Sequence, residues 1–237
     1  MSAARASGDL WVCHLGTIEY RRALDAQAQV RARRQAGDLP DVLLLLDHPP
    51  VYTLGRRSQD GELSMGEDFY RARGIDVVAT DRGGKLTYHG PGQLVGYPIM
   101  AITDVIEFLR TMERALIAAL GDAQVAADIR EGLTGVWVQE RKIGSIGLHV
   151  SRGVTTHGFA VNVENDLEPF SWAVPCGLDG VQMTSVSQER GERVALAGFR
   201  TVAAQRFAEA HGLFPRVASP ADLGLADLDV APAALAA

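Results

Sequence analysis

Apolar and polar positions along this chain follow two periods, and together they sketch most of its elements. Residues 10–15 read as a strand, and Thr17 is placed to cap a helix over 19–36 that stops at Gly37. Residues 41–47 form a nearly continuous apolar run, the pattern of a buried strand. His48-Pro49-Pro50 closes it, because proline cannot donate to a sheet ladder. A second run at 51–54 leads into Gly55-Arg56-Arg57, followed by a short helix at 68–73 and a strand at 75–79. Strand-like runs interrupted by glycine then extend to Ile99.

The best helical pattern spans 104–120, capped by Thr103, with Ile106, Leu109, Leu116 and Leu120 turned inward and Gly121 after its end. Strands at 135–139 and 143–150 flank a polar turn at Glu140-Arg141-Lys142, and another runs over 155–163. An irregular stretch at 164–183 precedes a last helix at 194–211. Adjacent strand pairs within an interspersed order predict an α+β fold with a mixed or antiparallel sheet and flanking helices. No internal repeat or linker divides the chain. A single catalytic domain is expected over 10–216, with flexible tails at 1–9 and 217–237.

Composition narrows the class. The 237 residues are 47% hydrophobic and 22% charged, as in an ordinary globular protein with a real core. A net charge of −6 argues against nucleic-acid binding, which needs a basic face. No stretch approaches the roughly 20 apolar residues of a membrane span, and the N-terminus has no apolar signal core. Two cysteines, Cys13 and Cys176, make neither a disulfide framework nor a cysteine-pair zinc site. The six histidines form no short-spaced ligand pair, so neither a metal nor a cofactor is expected. A soluble cytoplasmic protein fits these features.

The basic residues are unevenly split: of 23, only Lys85 and Lys142 are lysines. Genome base composition accounts for arginine replacing lysine wherever a surface position tolerates either. Arginine holds its proton in proteins, whereas lysine can release it, so a lysine that survives this bias is a candidate for chemistry.

Cys176 lies in Val174-Pro175-Cys176-Gly177, between a rigid residue and a flexible one. A lone cysteine is ordinarily a small buried hydrophobe, and Cys13, in an apolar run, is assigned that role. A loop cysteine followed by glycine instead lets a substrate approach the sulfur closely. Lys142 reads either as a solvated turn residue or as its partner, since a neighbouring ammonium lowers a thiol from its ordinary pKa of about 8.5. The densest feature is Arg82-Gly83-Gly84-Lys85-Leu86-Thr87-Tyr88-His89-Gly90-Pro91-Gly92-Gln93, where glycines that allow close backbone approach interleave with hydrogen-bonding groups. It lacks the spacings of the phosphate-cradling loops.

In order along the chain, these pieces resemble the lipoyl(octanoyl) transferases, octanoyl-[acyl-carrier-protein]:protein N-octanoyltransferases. The matching segments are His48 to Gly55, Arg82 to Gln93, Lys142 with Ile146-Gly147, His157 to Asn162, and Pro175-Cys176-Gly177. The resemblance implies the fold shared by biotin and lipoate protein ligases. It implies Cys176 as the acyl-thioester nucleophile and Lys142 as its partner. It also implies substrate binding by Arg82, Gly83, Gly84, Lys85, Leu86, Thr87, Tyr88 and His89; for Tyr88 and His89, shaping the pocket is favoured over a chemical role. Further binding residues are Ser145, Ile146 and Gly147 on one segment and His157, Gly158, Phe159 and Ala160 on another. Lys85 departs from the family, where many members carry an acidic residue. The implied partners of this monomer are octanoyl-acyl carrier protein as donor, and as acceptors the lipoyl domains of 2-oxoacid dehydrogenase complexes and the glycine cleavage H protein. Since such partners are acidic, a basic rim is expected, with Arg56, Arg57 and Arg141 as candidates. The competing readings are an ATP-dependent lipoate or biotin ligase of the same fold, a cysteine hydrolase, and a non-catalytic acyl-binding protein.

Overall fold

The computed structural model describes residues 8–173, 181–226 and 228. Its framework is an eight-stranded mixed sheet built from β1 (Asp9–Thr17), β2 (Asp41–Asp47), β6 (Gln93–Ile99), β7 (Asp128–Arg130), β8 (Leu133–Val138), β9 (Arg141–Ser151), β10 (Val154–Asn162) and β11 (Phe214–Val217). The strand order is β11-β1-β2-β6-β10-β9-β8-β7. The β1 pairings with β2 and β11 are parallel, and those from β2 through β6, β10, β9 and β8 to β7 are antiparallel. A second sheet of β3 (Val51–Leu54), β4 (Asp76–Ala79) and β5 (Thr87–His89) has the order β4-β3-β5.

Helix α1 (Tyr20–Ala36) packs on one face of the large sheet, while α3 (Val105–Asp122) and α5 (Leu196–Ala210) cover the other. Alternation along β2 feeds both cores: Leu43 and Leu45 join α3 and α5, and Val42, Leu44 and Leu46 join α1. Two short helices, α2 (Glu67–Ala72) and α4 (Val186–Arg190), and a 3-10 turn at Glu168–Trp172 complete the fold. Among the described residues, no helix is long and apolar enough to cross a membrane.

Several expected boundaries shift for local reasons. Thr17 ends β1 and donates its hydroxyl to Asp47 Oδ1, so the cap of α1 is Glu19, whose carboxylate accepts from the N–H groups of Arg21 and Arg22. Asp104, not Thr103, caps α3, accepting from Ile106 and Glu107 N–H. The helix runs through Gly121 to Asp122. Ile106 in its first turn is 67% exposed; the inward row is Phe108, Met112, Ala115, Leu116, Ala119 and Leu120. The turn expected at Glu140-Arg141-Lys142 is a two-residue hairpin turn at Gln139-Glu140, with Gln139 at φ +54°. Lys142 therefore lies inside β9.

The C-terminal boundary also moves. Residue 217 lies inside β11, which is stitched in parallel to β1, and Leu223 and Leu225 are buried in the core beneath α1. The loose tail expected from 217 is thus packed at least to Leu225, held by apolar contacts that a short polar-looking stretch does not advertise. Cys13 is buried in β1, and desolvation pushes its thiol up to about 12, so it is a structural hydrophobe.

Candidate active site

Three strands of the large sheet set the floor of a partly open cavity whose lining is mainly apolar. In the antiparallel pairing of β10 with β9, Gly158 faces Gly147, Phe159 faces Ile146, and Ala160 faces Ser145. The two short segments expected to bind substrate are thus cross-strand partners on adjacent rungs. On its other side β10 pairs with β6, placing Val95 opposite Ala160. Val95, Tyr97 and Tyr20 also line the cavity. None of these three was expected: the strand alternation on β6 could have flagged Val95 and Tyr97, while no local signal marks Tyr20.

The glycine-rich segment forms the opposite wall. Gly83 N–H donates to Leu148 O at 2.9 Å, laying the segment along β9. A Cβ at Gly147 would stand only 2.6 Å from Gly83 O, so this approach requires glycine there. Arg82 is buried, and its fork grips Thr53: Nε and Nη2 donate to Oγ1 at 3.1 and 2.8 Å, and Nη2 donates to Thr53 O at 2.6 Å. Gly84, Lys85, Leu86 and Thr87 follow along the cavity wall. Lys85 Nζ lies 3.8 Å from Glu62 Oε1, and Leu86 N–H donates to Glu62 Oε2. Tyr88 turns away, packing its ring with Tyr52 and Phe170 in the small-sheet core, where burial raises its hydroxyl to about 12.

His89 returns to the cavity, stacked on Tyr20 at 5.9 Å and edge-on to His48. Gln93 Nε2 donates to Tyr88 O and Asn162 Oδ1, which leaves its Oε1 to accept from His89 Nδ1–H at 2.7 Å. Burial, together with neighbouring His48, holds the His89 pKa well below the ordinary imidazole range. A neutral ring locked this way shapes a wall. His157, at φ +56°, donates its backbone N–H to Gln27 and places Nε2 2.7 Å from Asp81 Oδ1. Burial lowers its pKa in spite of that carboxylate.

Lys142 lines the cavity and is 6% exposed. Its Nζ sits 5.3 Å from the Trp137 ring centroid. Lys142 N–H donates to Gln182 O at 2.9 Å, and Thr184 N–H donates to Lys142 O at 3.0 Å. On the other flank, Tyr52 and Tyr70 hydroxyls donate to the carbonyls of Pro169 and Trp172. Cys176 lies outside the described residues, in the stretch 174–180 between these two anchored flanks. Of the expected basic rim, Arg56 and Arg57 are exposed on a turn whose N–H groups donate to Arg82 O and Gly84 O. Arg141 instead forms a bidentate pair with Glu189, at 2.9 Å for both bonds. Among the described residues no cluster of three His, Cys, Asp or Glu side chains could hold a metal.

The profile of the lipoyl protein ligase A/B catalytic domain matches residues 19–208. The chain belongs to this family. An octanoyltransferase of Solibacter usitatus is 51% identical over 69% of the chain and 76% of its own length. One from Mycolicibacterium smegmatis is 45% identical over 82% of the chain and 86% of its own length. Within the family, the chain therefore groups with octanoyltransferases. A bipartite lipoate protein ligase from Thermoplasma acidophilum shares the fold with a TM-score of 0.72 at 19% identity, covering 93% of this chain and 91% of that one.

Proposed function

We propose that the protein transfers an octanoyl group from octanoyl-acyl carrier protein to a lysine of a lipoyl domain, through a thioester on Cys176. Octanoyl transfer in protein lipoylation is the activity of its family group. The residue roles rest on one observation: Lys142 enters the apolar cavity from a strand whose backbone is hydrogen-bonded to Gln182 and Thr184, the chain leaving the Cys176 stretch. The chain that leaves the Cys176 stretch is thus tied to the strand carrying Lys142, which supports reading the two as partners.

In the first half-reaction the Cys176 thiolate attacks the thioester carbonyl carbon. A carbon–sulfur bond forms to the enzyme, the bond to the carrier breaks, and the departing thiolate takes a proton from the Lys142 ammonium, which is left as a neutral amine. In the second, the acceptor ε-amine attacks the acyl-enzyme, the carbon–sulfur bond breaks, and an amide forms. The proton shed by that amine passes to Lys142, which arginine could not accept. Val95, Leu86, Ile146 and Phe159 give the hydrocarbon chain an apolar surface. Thioester exchange is near isoenergetic and amide formation is downhill, so the reaction needs no ATP.

Intact mass spectrometry after incubation with octanoyl-carrier protein, without ATP, tests this reading. Wild type gains one octanoyl group and Cys176→Ser gains none. Lys142→Ala passes the group on to a lipoyl domain far more slowly than wild type. Absence of the adduct on wild type, or an equal adduct on Cys176→Ser, overturns the thioester route.

A further inference from the structure

Helix α3 buries one carboxylate among its apolar residues: Glu113 has no exposure. Its Oε2 accepts from Arg110 Nη1 at 2.6 Å, and its Oε1 accepts from Gly135 N–H of β8 at 3.0 Å. A buried carboxylate is costly, and satisfying a single backbone N–H does not require one. The other side of Gly135 supplies the reason. This glycine sits at φ +120°, and a Cβ there would stand 2.8 Å from Lys142 Cε, 3.4 Å from Lys142 Nζ and 2.5 Å from Gly144 O. The Lys142 stem lies against a bare Cα, in a slot that exists only while the backbone holds this turn.

The local sheet is irregular, with a register shift between Val136 and Trp137 where β8 meets β9. The ladder therefore does not by itself fix the backbone at Gly135, and the bond from the helix does. We infer that Glu113 is a positioning residue: it locks the Gly135 peptide so that the slot stays open and the Lys142 amine is held towards the cavity. The inference rests on the catalytic role proposed for Lys142. It also assigns a purpose to a carboxylate that the transfer chemistry does not otherwise use.

A double-mutant cycle on the full chain tests it, reading kcat and KM for octanoyl transfer. Glu113→Met, which fills the site without an acceptor, lowers kcat by about tenfold and leaves KM within about twofold. Glu113→Gln, whose amide oxygen can still accept from Gly135, recovers kcat to within about threefold of wild type. In the Lys142→Ala background, Glu113→Met adds less than about twofold, because the residue it positions is gone. Gly135→Ala approaches the same slot from the other side and lowers kcat likewise, which keeps the test open if Glu113→Met folds poorly. Multiplying effects of Glu113→Met and Lys142→Ala would show a general structural defect and overturn the inference. So would wild-type kcat in Glu113→Met, or a Gln variant as impaired as the Met variant. Wild-type kcat in Lys142→Ala would instead overturn the underlying catalytic reading.

Discussion

Replacing Arg82 with lysine keeps the charge and removes the fork. The guanidinium makes four contacts that a single ammonium cannot reproduce: two to Thr53 Oγ1, one to Thr53 O, and one from Nη1 to Gly83 O at 3.0 Å. They tie β3 to the cavity wall, and Gly55 leaves the room, since a Cβ there would stand 2.8 Å from Nη1. An ammonium at this site keeps about two of the four bonds, and each charged bond lost costs about 1.5 kcal/mol, for a total of roughly 3 kcal/mol. The stronger hydration of an ammonium adds to that cost. In a chain of this size the melting temperature should fall by roughly 6–12 °C. KM for a small octanoyl thioester should rise, because the wall loses its anchor. The control is Arg114→Lys, an exposed helix position paired with Glu107, where the change should stay within about 0.5 kcal/mol. Thermal melts and urea titrations of both variants decide the matter. Should Arg82→Lys cost no more than Arg114→Lys, the fork is not what holds the wall.

Acid should weaken the fold through His48, whose pKa burial lowers to about 4 against the opposing hydrogen bond to Ile18 O. The unfolded ring takes a proton below about 6.5 and the folded one does not, so stability is full above that pH and falls towards pH 4, by about 2 kcal/mol at pH 5; urea titrations at pH 7.5 and 5 should show a smaller drop in His48→Phe than in wild type. Charge reversal at Arg56 and Arg57 should slow acyl-enzyme formation from a protein carrier while sparing a small octanoyl thioester, and equal slowing of both, or of neither, would sink the docking rim. Leu223→Ala should cost about 2–5 kcal/mol in chemical denaturation, the penalty of a core cavity, and a loss under about 0.5 kcal/mol would show that the chain past β11 contributes nothing.

What the sequence revealed and concealed divides by the range of the contacts involved. β2 was legible because both its faces are covered, so every position between its two terminal aspartates is apolar. The pairing of Ser145-Ile146-Gly147 with Gly158-Phe159-Ala160 was half legible: each motif stood out, but only the hairpin register brings them face to face. β11 was not legible, because a four-residue strand containing Pro215 becomes a strand through pairing with β1, some two hundred residues away. Tyr20 escaped notice for the same reason, as its ring is set in the cavity wall by His48 and His89, distant in sequence. Lys142 was placed one element wrongly. Three polar residues in a row suggested a three-residue turn, whereas the positive φ of Gln139 closes the hairpin in two.

The earlier start of β9 changes what can be said about the two lysines. Lys85 holds its ammonium 3.8 Å from a buried carboxylate that also accepts from Leu86 N–H, a pairing that asks for a cation and would accept arginine. Lys142 is constrained twice. The proton transfer proposed for it excludes arginine, because a guanidinium keeps its proton. The slot against Gly135 adds a packing constraint, since the stem lies so close to the backbone that no methyl group fits between them. Of the two lysines in a chain that otherwise uses arginine, Lys142 is the one for which the proposed chemistry calls for a titratable side chain and the packing against Gly135 for a thin stem.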